Sequence, residues 1–186
     1  MRHIIYLLLS LTSLAVAADS PNLSELQADA QQRIKGFSGD LKSALQAAIS
    51  SGGLPDGVKV CKDQAPRIAE KWSGDGWQIG RTSLKVRNSS NQADAWEQQL
   101  LLDYMAKLTS GTKPAQLKRA EIVSNGDTEV FRYMQPIMLD TMCVACHGSQ
   151  LAKPVQQQIQ QHYPADLATG YSPGELRGAF TVKKQL

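Results

Sequence analysis

The chain has 186 residues, with 20 Lys and Arg against 17 Asp and Glu and a hydrophobic share of 42%. That balance excludes a disordered tail and a collagen-like repeat, and three cysteines are too few for a disulfide-packed miniprotein. A formal charge of +3 without any Lys/Arg run makes no case for nucleic acid, and the length suits one domain.

The first element is an address. Met1-Arg2-His3 is a short positive region, residues 4–11 are almost wholly apolar, and Ala15-Val16-Ala17-Ala18 offers an Ala-x-Ala cut. This tripartite pattern predicts a secretory signal peptide over residues 1–17. The apolar run falls short of the about 20 residues that a membrane span needs, and no later segment is long and apolar enough. Cleavage removes Arg2 and no acid, leaving 19 basic and 17 acidic residues, a formal +2. The expected mature protein is periplasmic, without a membrane span, and forms one domain over residues 20–186.

Ser20-Pro21 reads as a helix cap followed by Pro in the first turn. Leu23, Leu26, Ala30, Ile34, Phe37, Leu41, Leu45 and Ala48 then recur at three- and four-residue steps, predicting a long amphipathic helix closed by Gly52-Gly53. A second helical stretch follows Pro55 with Val58, Val60 and Cys61, and Pro66 restarts it before Ile68, Ala69 and Trp72. Residues 77–86 alternate as a strand, and residues 88–91 form a polar loop. Trp96, Leu100, Tyr104 and Leu108 mark another helix, ending near Gly111. Residues 117–123 and 128–135 read as two strands flanking the hairpin signal Asn125-Gly126, and residues 177–182 as a last strand. This order predicts an α+β domain, an antiparallel sheet with its helices packed on one side.

The chemistry is concentrated in Cys143-Val144-Ala145-Cys146-His147, a Cys-x-x-Cys-His motif that reads as attachment of one c-type haem. Two thiols three positions apart in a helical turn can each add to one vinyl group on the same haem edge, and the adjacent imidazole becomes the proximal iron ligand. Zinc would want a second ligand pair, which the chain does not provide, and a thioredoxin-like dithiol would want a βαβ setting.

The other axial position decides the chemistry, because a vacant site binds gases or peroxide whereas an occupied one favours electron transfer. Cys61, His162, Met105, Met134, Met138 and Met142 are the candidates, and Met138 and Met142 lie too close to the motif in sequence to reach the far face easily. Once haem takes Cys143 and Cys146, Cys61 has no disulfide partner. It reads either as a buried small apolar residue or as a thiolate ligand. A thiolate on the iron stabilises the ferric state, so that second reading implies a low potential.

Four blocks then resemble the single-haem, c-type, PAS-like domains of bacterial exported proteins and sensor ectodomains. They are residues 60–69 around Val60-Cys61-Lys62, residues 80–88 beginning Gly80-Arg81-Thr82, Tyr133-Met134-Gln135-Pro136-Ile137 with the haem motif, and residues 163–180 from Tyr163-Pro164 to Ala179-Phe180. The polar loop around Asn88-Ser89-Ser90-Asn91 departs from the family's more proline-rich one. The resemblance implies a PAS-like fold and axial ligation by Cys61 and His147. It also implies that Arg81, Lys85 and Arg87 lie near the pocket, where they are candidates for the haem propionates, as are Tyr171 and Arg177.

No Ser-His-Asp set, paired carboxylate or phosphate-cradling loop stands out, so no catalytic acid or base is expected. The expected function is that of an exported monohaem cytochrome for low-potential electron transfer or redox sensing. With no kinase, receiver or cyclase segment in the chain, sensing would pass through a separate redox partner protein. The alternative is a haem-based gas sensor or a peroxidase-like enzyme with a labile axial ligand.

Overall fold

A computed structural model describes residues 22–186 except Asp127. The expected signal peptide and the expected Ser20-Pro21 cap lie outside the described residues. Helix α1 (Leu23–Asp63) starts instead on Asn22, whose side chain accepts the Ser24 backbone N–H. Its 41 residues are two helices in one run. At Gly53 the backbone takes φ 77°, a left-handed conformation open to glycine, so the helix breaks where the Gly52-Gly53 pair predicts. The returning arm crosses the outgoing one at Gly57, where an added Cβ would meet Leu45 at 3.0 Å and Ile49 at 3.1 Å.

Helix α2 (Ala65–Trp72) follows with Pro66 in its first turn. It is fastened to the outgoing arm of α1: Trp72 Nε1 donates to Asp40, and Arg33 donates to the Trp72 carbonyl at 2.7 Å. Four antiparallel strands come next, β1 (Trp77–Thr82), β2 (Arg119–Asn125), β3 (Thr128–Met138) and β4 (Leu176–Gln185), in the spatial order β1-β4-β3-β2. Asn125 pairs with Thr128 across the turn, and Gly126 supplies its positive φ of 64°. β1 is shorter than the alternation suggests because Ser83 leaves the sheet, pairing in parallel with Gln92 while its hydroxyl donates to the Arg177 carbonyl.

The α+β architecture, an antiparallel sheet with flanking helices and a long N-terminal one, is thus present, but the helices do not share one side. Leu26, Ala30, Ile34 and Phe37 of α1 pack on Trp77, Ile79, Phe131, Tyr133 and Val182. Helix α3 (Ala95–Thr109) packs Leu101 and Tyr104 on Met134 and Ala179, which strand alternation turns to the opposite face. The correction has a physical cause: the second face offers Met134 and Ala179 beside the polar Arg132 and Thr181, which bond to Asp94 and Glu97 of the α3 region, so in sequence it reads as an open face. Two short helices complete the chain, α4 (Val144–His147) and α5 (Lys153–His162). The sequence reading assigns no element to α5, whose buried face is only Val155 and Ile159 among glutamines. Among the described residues, no helix is long and apolar enough to cross a membrane.

Asp94 anchors α3 to the sheet. Its carboxylate caps the Glu97 N–H at 3.0 Å, accepts from Arg132 of β3 at 2.6 Å and pairs with Lys183 of β4 at 3.1 Å. Partial burial pushes its pKa up, but the bonds from Arg132, the Glu97 backbone and Lys183 outweigh that and hold it at about 2. Because the folded value lies below the unfolded one, this contribution is complete above about pH 4 and fades as pH falls toward 2. Asp94→Ala should cost about 1 kcal/mol at neutral pH, the usual worth of an N-cap, and less at pH 2.5. Urea unfolding at both pH values checks this, and an equal loss at both would refute the assignment.

Candidate functional site

Both arms of α1, the segment after β1 and the α4 turn enclose one cavity of about 320 Å³ on the α1 face of the sheet. Its apolar wall comes from Leu41, Leu45 and Ile49 of the outgoing arm and Leu54 and Val58 of the returning one. Cys61 stands three residues beyond Val58, so the helical step brings its thiol to the same wall. Cys143, at the cap of α4, and Cys146, three residues on, face this cavity together with His147. All three cysteines are free thiols and half-buried. Burial pushes the Cys146 thiol pKa up, only partly opposed by the nearby Arg87 charge.

The imidazole of His147 has a fixed tautomer. Nδ1 lies 2.7 Å from the Ala168 carbonyl oxygen, which can only accept, so Nδ1 carries the proton and the lone pair is left on Nε2. Arg177 Nε, 3.4 Å from the same Nδ1, is then a positive neighbour rather than a donor. Burial, with Arg87 and Arg177 beside it, lowers the His147 pKa to about 3. The ring is neutral at ordinary pH, the form in which imidazole ligates a metal.

The three arginines on this wall differ in what they hold. Arg87 is matched: it forms a two-point ion pair with Asp166 at 3.1 and 3.2 Å, and both side chains are only 8% exposed. It also donates to the Cys146 carbonyl at 2.6 Å and to Ala168 at 3.4 Å. Arg177 has only neutral hydrogen-bond acceptors, the Ser83 hydroxyl at 2.8 Å and the Lys85 carbonyl at 3.1 Å, and burial lowers its pKa. It occupies a β-bulge, since Ile137 pairs with Gly178 but Met138 pairs with Leu176, and such an extra residue re-aims its side chain. Among the described residues, the Arg81 side chain has no hydrogen bond or ion pair, and it stands 5.9 Å from the Phe37 ring.

Lys85 and Tyr171 lie off the cavity wall. Lys85 donates to the Thr169 carbonyl at 2.7 Å and sits 4.6 Å from the Tyr171 ring, with Arg177 at 5.4 Å. The Tyr171 N–H donates to the His147 carbonyl at 3.0 Å, so these residues fasten the 166–171 loop against the α4 turn. Met138 and Met142 do line the cavity, whereas Met134 is buried in the core on the other face and Met105 is exposed. His162 lies off this cavity, with its ring nitrogens near Lys62 and Gln158. Asp166, Ser83 and the Ala168 carbonyl are the participants the sequence reading misses. A backbone carbonyl leaves no residue signal, and Asp166 gains its role only by meeting an arginine 79 positions away.

Residues 16–184 match the model of the Tll0287-like family. The chain belongs to the Tll0287-like family. It is similar to the crystal structure of the cyanobacterial heme-protein Tll0287, with 25% identity and a TM-score of 0.55 over 86% of this chain and 92% of that one. No curated protein sequence matches it.

Gly178 makes the bulge at the cavity feasible. Its φ is 157°, and a Cβ there would meet the Thr82 carbonyl oxygen at 2.3 Å. Gly178→Ala should therefore part β1 from β4 beside Arg177 and destabilise the fold by about 1–3 kcal/mol. Thermal unfolding reads the effect, and an unchanged midpoint would show that the close approach does not constrain the strands.

Proposed function

We propose that this chain is an exported monohaem c-type cytochrome, periplasmic, that transfers electrons at low potential or senses redox state. In this reading Cys143 and Cys146 bind one haem c covalently, His147 is the proximal iron ligand and Cys61 the distal one. One observation carries it: three free thiols and one neutral imidazole with its lone pair on Nε2 line a single cavity. The likeness to a cyanobacterial heme-protein supports it, and so does the chemistry of the walls.

The residues fit the group on three counts. The thiol pair sits in one helical turn beside the imidazole, as attachment through two thioethers requires. The facing helical arms are aliphatic, suited to a macrocycle and to excluding water. Arg81 and Arg177 bring positive charge to the wall without a carboxylate partner, which suits the two propionates. Arg87 is already neutralised by Asp166, and Lys85 and Tyr171 hold the adjoining loop, so anchoring falls to Arg81 and Arg177.

Haem supplies a one-electron ferric/ferrous couple. Cys61, as thiolate, adds negative charge that favours the ferric form and lowers the potential, while His147 keeps its orientation through Nδ1. The electron partner is a separate redox protein.

The exported protein should keep haem stain on a denaturing gel, and Cys143→Ala combined with Cys146→Ala should abolish it. Persistent stain in the double variant, or a mass equal to the bare processed chain in the parent, ends the reading. Cys61→Ala should retain covalent haem and shift the ferric/ferrous ratio at fixed poise by at least about tenfold toward ferrous, or about 59 mV. Carbon monoxide should bind the reduced variant far faster than the reduced parent. Fast binding to the reduced parent would favour a gas sensor or a peroxidase-like enzyme instead.

A further inference from the structure

The Arg87–Asp166 pair is costly to place where it is. Two charged side chains, each 8% exposed, have been taken out of water, and such a pair gives little net stability over apolar packing. Its contacts give it another role. Asp166 Oδ1 accepts both Arg87 Nε, at 3.1 Å, and the backbone N–H of Ala168, at 3.0 Å. Arg87 Nη2 donates to the Cys146 carbonyl at 2.6 Å and to the Ala168 carbonyl at 3.4 Å. The Ala168 carbonyl is the acceptor of His147 Nδ1–H. The Leu167 N–H donates to the Val86 carbonyl at 2.9 Å, which ties the same loop to the segment carrying Arg87. The pair thus grips both ends of the His147 hydrogen bond, the turn that carries the ring and the carbonyl that orients it.

We infer that Arg87 and Asp166 are positioning residues for His147, holding the Ala168 carbonyl so that the imidazole keeps one tautomer and one ring orientation toward the iron. The inference rests on the haem reading above and deepens it. A firm Nδ1–H···O=C bond makes the imidazole a stronger donor, which favours the ferric state. Loosening that bond moves the potential upward whichever member of the pair is lost.

Charge alone predicts otherwise. Removing the Asp166 carboxylate leaves an unmatched cation near the iron and raises the potential, whereas removing the Arg87 cation lowers it. The signs separate the two accounts. In purified holoprotein, Asp166→Asn and Arg87→Met should both shift the ferric/ferrous ratio at fixed poise toward ferrous, by about tenfold, the usual weight of an outer-shell partner. Arg87→Lys, which keeps the charge and one bond to Asp166, should recover part of the Arg87→Met shift. Opposite signs for Asp166→Asn and Arg87→Met, or no shift in either, would overturn the inference.

A measurement on the unsubstituted holoprotein makes the test independent of how the variants fold. Proton NMR should show a slowly exchanging imidazole Nδ1–H, and an Nδ1 proton exchanging freely with water would refute the positioning role. Haem stain on a denaturing gel separates this from the parent reading. Stain with the wrong potentials or exchange rate sinks only the positioning role, whereas a parent protein without stain sinks the haem reading itself.

Discussion

One backbone dihedral organises the site. At Gly53 a positive φ stops a helix that would otherwise run on for 41 residues, and the chain doubles back instead of leaving the sheet behind. A continuous helix rises about 1.5 Å per residue, which would set Cys61 about 12 Å beyond Gly53. Folded back, and allowed close contact by the missing side chain of Gly57, the returning arm brings Cys61 to the cavity that the α4 turn reaches from elsewhere in the chain. The aliphatic lining, the thiols and the imidazole share a cavity because of that reversal.

Charge is distributed around the cavity with a clear division. Arg87 is neutralised locally and spends its remaining donors on backbone carbonyls, so it acts as a clamp. Among the described residues, the Arg177 side chain, displaced into a bulge, meets a hydroxyl and a carbonyl but no carboxylate, and the Arg81 side chain has no hydrogen bond, so both keep their charge uncompensated at the wall. A pocket built this way is apolar along the helical arms and positive at selected points. That is the complement of a flat apolar ligand bearing carboxylates, which the proposed haem is.

What was legible in the sequence follows from how local each signal is. The stripe Leu26, Ala30, Ile34, Phe37, the break at Gly53 and the turn at Gly126 depend on neighbours within a few residues, and all are present. The start of α1 is set by Asn22, and Leu23, counted in the stripe, is 41% exposed and stands outside the core cluster. Helix α5 was invisible because two apolar residues one turn apart among glutamines make too weak a period. For the site, the contiguous motif could be read directly, and Cys61 stood out as the one thiol left without a partner, with the family resemblance implying its role as ligand. The separation of Arg87 from Arg177 could not be read, because it depends on Asp166 and Ser83 arriving from distant parts of the chain.

The two main cores lie on opposite faces of the sheet. One joins the first turns of α1 to Trp77, Phe131 and Tyr133, and the other joins α3 to Met134 and Ala179. Of the aliphatic side chains of α1 that wall the cavity, Leu41 also packs on the first core, whereas Leu54 and Val58 of the returning arm pack in a third cluster with Val155, Ile159 and Tyr163. Most of the two cores therefore stands apart from the pocket, and the returning arm is held between the pocket wall and the third cluster. A group that fills the pocket would then tighten the hold on that arm more than on the two cores.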